Sequence, residues 1–323
     1  MKTAVRILLY TVAGIIVLVT GVLGYVRFGL PNVGDAPNWT AKSSPEILER
    51  GEYLTHHVVG CIDCHSERDW TKFSGPVIDG TWGKGGEVFD AKYGLPGSFT
   101  AKNITPYHLR SWSDGELFRT ITSGVSKDGS PLFPIMPYDN FNHLDPEDVN
   151  AIIAYVRTLP AIANDPPPSQ VKFPMSLIER LIPMKYNSPT RPPETDRVSY
   201  GKYLATVSSC VFCHTPIVKG KPNELMKFGG GMEFQMPKGG TVRAANISPD
   251  NLSGIGLWTE EQFLAKFKQY QHRDSLATVL PGEFNSIMPW NVYAGMKEED
   301  IRAIWSYLRT VPAVNHKVEK FTP

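Results

Sequence analysis

Cysteine and surplus charge are both scarce in this sequence. Its 323 residues include only four cysteines, and 33 lysines and arginines nearly balance 32 aspartates and glutamates, which leaves a formal net charge of +1. A chain this close to neutral lacks the strongly basic face that nucleic-acid binding requires, so we expect no nucleic-acid partner. Hydrophobic residues make up 41% of the chain, which is enough for each of two domain-sized halves to bury a core.

The four cysteines form two C-x-x-C pairs, and a histidine follows each pair directly. The motifs read CIDCH at residues 61–65 and CVFCH at residues 210–214, which is the attachment signature of c-type haem. Two cysteines on one helical turn project together and form thioethers with two vinyl groups, while the adjacent histidine lies over the porphyrin face and binds iron. We therefore expect two covalent haem c groups, with attachment and proximal ligation by Cys61, Cys64, His65, Cys210, Cys213 and His214.

Other uses of these cysteines fit the pattern less well. A zinc site would need both pairs at one place, and a redox dithiol has no need of a histidine after each pair. Because every cysteine belongs to one of the two motifs, no thiol is left for a disulfide, a nucleophile or a separate thiolate ligand.

The chain is an internal repeat, because six short matches occur in the same order in both halves. The matches are GEYL at 51–54 with GKYL at 201–204, the two C-x-x-C-H motifs, NITP at 103–106 with NISP at 246–249, WS at 112–113 with WT at 258–259, IMPY at 135–138 with IMPW at 287–290, and YVRTLP at 155–160 with YLRTVP at 307–312. The sequence thus predicts a mainly α-helical protein with long loops and two homologous domains at residues 45–162 and 196–323. We expect the proline-rich linker between them, residues 163–195, to lie against a domain surface.

Each repeat also pairs a glycine near its start with a tyrosine near its end. The pairs are Gly51 with Tyr155 and Gly201 with Tyr307. Glycine permits a close approach of two backbones, so these pairs predict the points where the first and last helices of each domain cross.

The methionine of each I-M-P-aromatic match is the candidate for the second axial iron ligand. Met136 is the only methionine between His65 and the end of its repeat, and Met288 occupies the equivalent place in the second. A single methionine is more often core filling, but the same methionine in two haem repeats favours ligation. Histidine and methionine together fill the coordination sphere and raise the reduction potential, which favours electron transfer over substrate binding at iron.

The N-terminus carries an uncharged run at residues 7–26, which is long enough to cross a bilayer core of roughly 30 Å. A cleaved signal peptide is the alternative, although its apolar region is usually shorter and ends in an A-x-A-like site. Lys2 and Arg6 precede the run and only Arg27 closely follows it. We therefore expect a single-pass anchor at residues 1–30 in the cytoplasmic membrane, in contact with lipid, and a short linker at residues 31–44. The haem domains would then face the periplasm.

Together these motifs resemble class I cytochrome c domains and, more closely, the cytochrome c subunits of membrane-bound bacterial alcohol and gluconate dehydrogenases. The resemblance covers residues 45–160 and 195–315, and the second repeat also carries the GIGLW stretch at residues 254–258. It implies two tandem class I cytochrome c domains that pass electrons from a dehydrogenase or a quinol-oxidising complex to a cytochrome or terminal oxidase. Those subunits typically carry three haem domains, whereas this sequence predicts two.

Two enzymatic functions compete with a role in electron transfer. A dihaem cytochrome c peroxidase has two such motifs in a chain of similar length, but it needs one haem with an open coordination position, and the matched methionines count against that. A thiosulfate-oxidising dihaem enzyme usually uses a cysteine ligand, and all four cysteines here belong to attachment motifs. We find no second fold to house pyrroloquinoline quinone, flavin or molybdenum, so we expect an electron-transfer protein without its own substrate site.

Overall fold

The structure is a computed structural model that describes residues 2–93, 95–218 and 220–323. It is mostly helical, as the sequence predicts, and its α-helices are α1 Lys2–Gly29, α2 Pro45–Tyr53, α3 Cys61–Cys64, α4 Pro106–Leu109, α5 Asp114–Ser123, α6 Tyr138–Phe141, α7 Pro146–Val156, α8 Met175–Ile178, α9 Arg197–Val207, α10 Cys210–His214, α11 Glu260–Lys268, α12 Trp290–Tyr293 and α13 Glu298–Leu308. A π-helical turn, Leu54–Val58, continues α2 towards the first C-x-x-C-H motif. We call residues 45–162 the N-terminal half and residues 196–323 the C-terminal half.

Within the described residues, short strands form three small antiparallel sheets outside the helices. In hydrogen-bonded order these are β1 Val88–Phe89, β2 Gly97–Thr100 and β3 Gln170–Val171; β4 Ile217–Val218 and β5 Lys221–Pro222; and β6 Glu233–Gln235, β7 Thr241–Arg243 and β8 Phe321–Thr322. The register pairs Phe89 with Phe99 and Phe234 with Val242. Since β3 belongs to the linker and β8 to the C-terminal segment, the two three-stranded sheets hold distant segments against the loops.

The first and last helices of the N-terminal half cross at a glycine, as predicted. Helix α2 packs on α7, and a Cβ atom at Gly51 would lie 2.0 Å from the carbonyl oxygen of Ala151. The same atom would lie 2.7 Å from the Cβ atom of Tyr155. A side chain at this position would therefore push the two helices apart.

The equivalent helices of the C-terminal half, α9 and α13, also cross at the predicted glycine. A Cβ atom at Gly201 would lie 1.8 Å from the carbonyl oxygen of Ala303. Here the nearest atoms belong to Ala303 and its neighbour in the chain rather than to Tyr307. The glycine was thus predicted correctly, but its contact is with helix backbone rather than with the tyrosine ring.

The two halves share one hydrophobic core and a pair of reciprocal hydrogen bonds. Buried residues of both halves belong to the same cluster. The hydroxyl of Tyr53 donates to Asp300 at 2.5 Å, and that of Tyr203 donates to Asp148 at 2.6 Å. Asp148 also accepts two hydrogen bonds of 2.9 Å from the guanidinium of Arg50. Because a buried carboxylate without partners is strongly unfavourable, these contacts tie the burial of each aspartate to the assembly of both halves.

The proline-rich linker lies on the surface of the N-terminal half, as expected. The hydroxyl of Tyr186 donates to the carbonyl oxygen of Leu144 at 2.5 Å, and the side-chain amide of Asn142 donates to the carbonyl oxygen of Lys185 at 3.0 Å. The linker is therefore part of the folded body and not a free connection.

The segment between α1 and α2, residues 31–44, is also held against the N-terminal half. The backbone amide of Lys42 donates to the side chain of Asn150 at 2.9 Å, and the Asn150 amide donates back to the Lys42 carbonyl oxygen at 3.0 Å. At the end of α1, the guanidinium of Arg180 donates to the carbonyl oxygen of Leu30 at 2.6 Å. Both the body and the linker thus fix the position of this segment.

A cavity of about 440 Å³ lies between the halves, beside the first C-x-x-C-H motif. Its lining includes His56, His57, Trp82 and Arg273. Burial, reinforced by the neighbouring His57, lowers the pKa of His56 to about 4. His56 also shares a hydrogen bond of 2.8 Å with the hydroxyl of Tyr155, so its neutral form belongs to the folded state.

Replacement of the crossing glycine, Gly201→Ala, is expected to destabilise the protein. The new methyl group meets helix backbone that cannot move aside as a side chain can, and such overpacking costs about 1–3 kcal/mol. We expect the thermal unfolding midpoint, followed by far-UV circular dichroism, to fall by about 2–4 °C. Lys202→Ala, at the next and exposed position of α9, serves as the control, and equal midpoints for the two variants would contradict the crossing.

Acid should destabilise the protein through His56. Its folded-state pKa lies below the usual value of 6.5, so the folded chain binds fewer protons than the unfolded chain between about pH 6.5 and 4. The unfolding free energy therefore falls as the pH drops through this window, and His56→Gln should make the fall shallower. Denaturant titrations at a series of pH values measure it, with His272→Gln, an exposed histidine, as the control. A slope that His56→Gln leaves unchanged would refute the assignment.

Candidate haem-attachment sites

The two motif histidines make the same hydrogen bond in both halves. The Nδ1 atom of His65 donates to the carbonyl oxygen of Lys102 at 2.7 Å, and that of His214 donates to the carbonyl oxygen of Ala245 at 2.7 Å. Because a carbonyl only accepts, the proton is on Nδ1 and the lone pair of Nε2 is available to a metal. Burial lowers the pKa of both imidazoles, which favours the neutral form that binds iron.

The N-I-[ST]-P motif positions the carbonyl oxygen that accepts this hydrogen bond. In the N-terminal half, the side-chain oxygen of Asn103 accepts from the amide of Thr105 at 2.9 Å and from its hydroxyl at 2.7 Å. The Asn103 amide donates to the carbonyl oxygen of Ile162 at 2.8 Å, beyond the last helix. The same contacts recur at 2.9, 2.7 and 2.7 Å in the C-terminal half, between Asn246, Ser248 and Val314. The sequence revealed this motif as a repeat but gave no indication of its role.

The cysteines of each motif lie on one helical turn, as predicted. Cys61 and Cys64 begin and end α3, and Cys210 and Cys213 lie in α10. All four are free cysteines. Burial raises the pKa of Cys61, Cys210 and Cys213 to about 12, which keeps them protonated and separates them from the low-pKa thiolates of redox dithiols.

The two predicted methionine ligands lie in loops of the same geometry. Met136 and Met288 are partly buried and pack against the hydrophobic core, as do Cys61 and Cys210. After each methionine comes a proline and a short helix, α6 or α12. The amide two residues after the methionine donates to the methionine carbonyl oxygen, at 2.7 Å in the N-terminal half and 2.8 Å in the C-terminal half. The local fold therefore presents the two methionines in the same way.

Helix α12 contacts the residues that directly precede both C-x-x-C-H motifs. Val292 lies against Gly60, the residue before the first motif, where a Cβ atom would be 3.5 Å from the valine. The carbonyl oxygen of Val292 accepts a hydrogen bond of 3.0 Å from Nδ1 of His57. The hydroxyl of Tyr293 donates to the carbonyl oxygen of Ser208 at 2.7 Å, two residues before the second motif. A single helical turn thus lies between the two motifs, which sequence patterns could not indicate.

Comparison with known proteins identifies the C-terminal half. Residues 198–312 match the family model described as Cytochrome c. The chain is 24% identical over 296 residues to the alcohol dehydrogenase (quinone) cytochrome c subunit of Gluconacetobacter polyoxogenes, a match that covers 87% of this chain and 59% of that protein. The chain therefore spans less than two thirds of the length of that subunit.

Two further relatives have related descriptions. The gluconate 2-dehydrogenase cytochrome c subunit of Pantoea cypripedii is 25% identical over 328 residues, which cover 95% of this chain and 67% of that protein. A diheme cytochrome c-type protein of Cereibacter sphaeroides is 27% identical over 296 residues, which cover 84% of this chain and 91% of that protein. Residues 198–312 are therefore a cytochrome c domain, and this chain is a relative of dehydrogenase cytochrome c subunits, which associates it with haem c and electron transport.

Proposed function

We propose that this chain is an electron-transfer subunit with two cytochrome c domains, residues 45–162 and 196–323, each with one covalent haem c. The attachment cysteines are Cys61 and Cys64 in the first domain and Cys210 and Cys213 in the second. The axial ligand pairs are His65 with Met136 and His214 with Met288. The observation that carries the proposal is the identical histidine–carbonyl hydrogen bond of 2.7 Å in the two halves.

The N-terminal half lies outside the family match, so its assignment as a cytochrome c domain depends on equivalence to the C-terminal half. That equivalence extends from the C-x-x-C-H motif to the asparagine contacts, the methionine loop and the glycine crossing. The diheme relative supports the same reading, because its match covers 84% of the chain. One domain of this type in each half gives the proposed count of two haems.

The side chains present fit haem c. Each motif offers two free thiols on one helical turn and an imidazole whose Nδ1 proton is fixed and whose Nε2 is available. When bound, the haem supplies one-electron chemistry between ferric and ferrous iron. The protein holds it by thioethers, orients the proximal histidine and sets the potential through burial and the methionine sulfur.

The position of α12 supports electron transfer between the halves. Because one helical turn contacts the residues just before both motifs, it offers a short protein path between the two sites. We propose that electrons enter at one half and leave at the other. The names of the relatives indicate a dehydrogenase as the donor, with a quinol-oxidising complex as the alternative donor and a cytochrome or terminal oxidase as the acceptor.

We also propose that α1 anchors the protein in the cytoplasmic membrane, with both haem domains on the outer side. Among the described residues, one helix is long and apolar enough to span a bilayer, and a signal sequence passes the same test. Its apolar side chains are exposed along its length. The linker adjoins its C-terminal end through Arg180 and also exposes Phe173 and Leu181, which supports an interfacial position for this part of the linker.

The haem assignment predicts two haems c per chain and one methionine-iron bond at each. A pyridine haemochrome assay should return two haems for the wild type and one for the Cys61→Ala/Cys64→Ala variant. Met136→Leu and Met288→Leu should each remove about half of the far-red absorption band that marks methionine bound to ferric haem and lower one of the two potentials. Met226→Leu, a partly buried methionine, is the control. A band that survives Met288→Leu in full, or steady turnover of peroxide by the wild type, would contradict this assignment.

The anchor assignment predicts that the mature protein keeps its N-terminal helix. Intact-mass measurement of protein purified from membranes should include residues 1–30, and removal of these residues should move the haem-loaded protein to the soluble fraction. Cleavage near residue 30 in the mature wild type would instead identify the segment as a signal peptide.

A further inference from the structure

One residue of the N-terminal half is hydrogen-bonded on both sides of the Met288 loop. The hydroxyl of Ser74 donates to the carbonyl oxygen of Met288 at 2.6 Å and accepts from the amide of Trp290 at 2.9 Å. The backbone amide of Ser74 donates to the side chain of Asn285 at 2.8 Å. Ser74 is fully buried, so water does not compete for these bonds.

The chain on either side of Ser74 is attached to the C-terminal half in the same way. The amide of Phe73 donates to the carbonyl oxygen of Ala277, and the amide of Val279 donates to the carbonyl oxygen of Thr71, both at 2.8 Å. The ring of Phe73 stacks on Tyr270 at a centroid distance of 5.3 Å. This pattern resembles a short strand pairing across the two halves, and it fixes where Ser74 lies.

Ser74 adopts a backbone conformation that needs support from its surroundings. Its φ of +66° lies in the left-handed region, and Gly75 follows with a φ of +52°. A non-glycine residue rarely occupies this region unless its surroundings hold it there. Those surroundings are the three hydrogen bonds to the Met288 loop together with the Arg68 guanidinium, which donates to the carbonyl oxygens of Ser74 and Gly75, both at 2.8 Å.

The Met136 loop has no equivalent support. The carbonyl oxygen of Met136 accepts a hydrogen bond from the backbone amide of Tyr138 at 2.7 Å. Within residues 2–93, 95–218 and 220–323, no side chain donates to this carbonyl oxygen. The loop after the motif also differs in length between the halves. The carbonyl of His65 accepts from Gly85, whereas that of His214 accepts from Gly230, so the N-terminal loop is four residues longer. The longer loop is the one that reaches across.

We propose that Ser74 is a positioning residue for Met288, so that the N-terminal half fixes the second axial ligand of the C-terminal haem. This inference rests on the proposed ligation by Met288. Hydrogen bonds to the carbonyl of Met288 and the amide of Trp290 restrain the backbone on either side of Pro289, directly after the ligand residue. The bond from the Ser74 amide to Asn285 restrains the chain before it. Loss of the hydroxyl leaves the turn but frees it to move, which eases detachment of the sulfur from iron.

Imidazole competition at ferric haem tests this inference in the full-length, haem-loaded protein. Imidazole displaces methionine, and the loss of the far-red band reports each displacement, with Met136→Leu and Met288→Leu assigning the two phases. The variants are Ser74→Gly, which relaxes the left-handed backbone and removes the hydroxyl, and Ser74→Ala, which removes the hydroxyl alone. The interface control is Thr278→Ala, which removes an exposed hydrogen bond of 3.1 Å to Lys72 away from the ligand.

In both Ser74 variants we expect the C-terminal haem to bind imidazole about five- to thirtyfold more tightly, because the hydroxyl makes two hydrogen bonds and each is worth about 1 kcal/mol, or about fivefold. Its potential should fall, while the N-terminal haem and Thr278→Ala match the wild type. Wild-type affinity in Ser74→Gly with both methionine bands intact would overturn the positioning role alone. A wild type without a band from Met288 would overturn the proposed ligation, and the positioning role with it.

Discussion

The close crossing of two helices at a glycine is the constraint on which the rest of this structure depends. At Gly51 and Gly201 a helix backbone occupies the space that a side chain would need. The same first helix of each half then leads into its C-x-x-C-H motif. It also carries, two residues after the glycine, the tyrosine that donates to an aspartate of the other half. One local contact therefore orients both a C-x-x-C-H motif and the interface between the halves.

Sequence patterns predicted those features that a short segment determines by itself. The two C-x-x-C-H turns, the glycine crossings and the placement of the linker all agree with the structure. The role of Asn103 could not be predicted, because its partner Ile162 lies 59 positions away. Ser74 belongs to no motif, and its contacts with Met288 span 214 positions. Long-range hydrogen bonds of this kind leave no periodic signal in the sequence. Ligation by Met136 and Met288 stays a prediction.

The two halves are equivalent in their motifs but not in their surroundings. Asp148 accepts hydrogen bonds from Arg50, Arg191 and Tyr203, whereas its counterpart Asp300 accepts one from Tyr53. Burial raises the pKa of Asp300. The N-terminal loop that contains Ser74 reaches across to the C-terminal half. The proposed ligand set, placed in two different environments, would allow two different potentials and with them a preferred direction of electron flow.

The short segment at residues 31–44 has a consequence for how this protein meets others. Its backbone is bonded to Asn150 on the body, and the adjoining Leu30 is bonded to Arg180. If α1 lies in the bilayer, as we propose, such a connection is not a flexible linker and does not let the body move freely above the membrane. With the proposed anchor in place, it would set the height and tilt of the body, and a redox partner would have to present its own centre at a matching elevation.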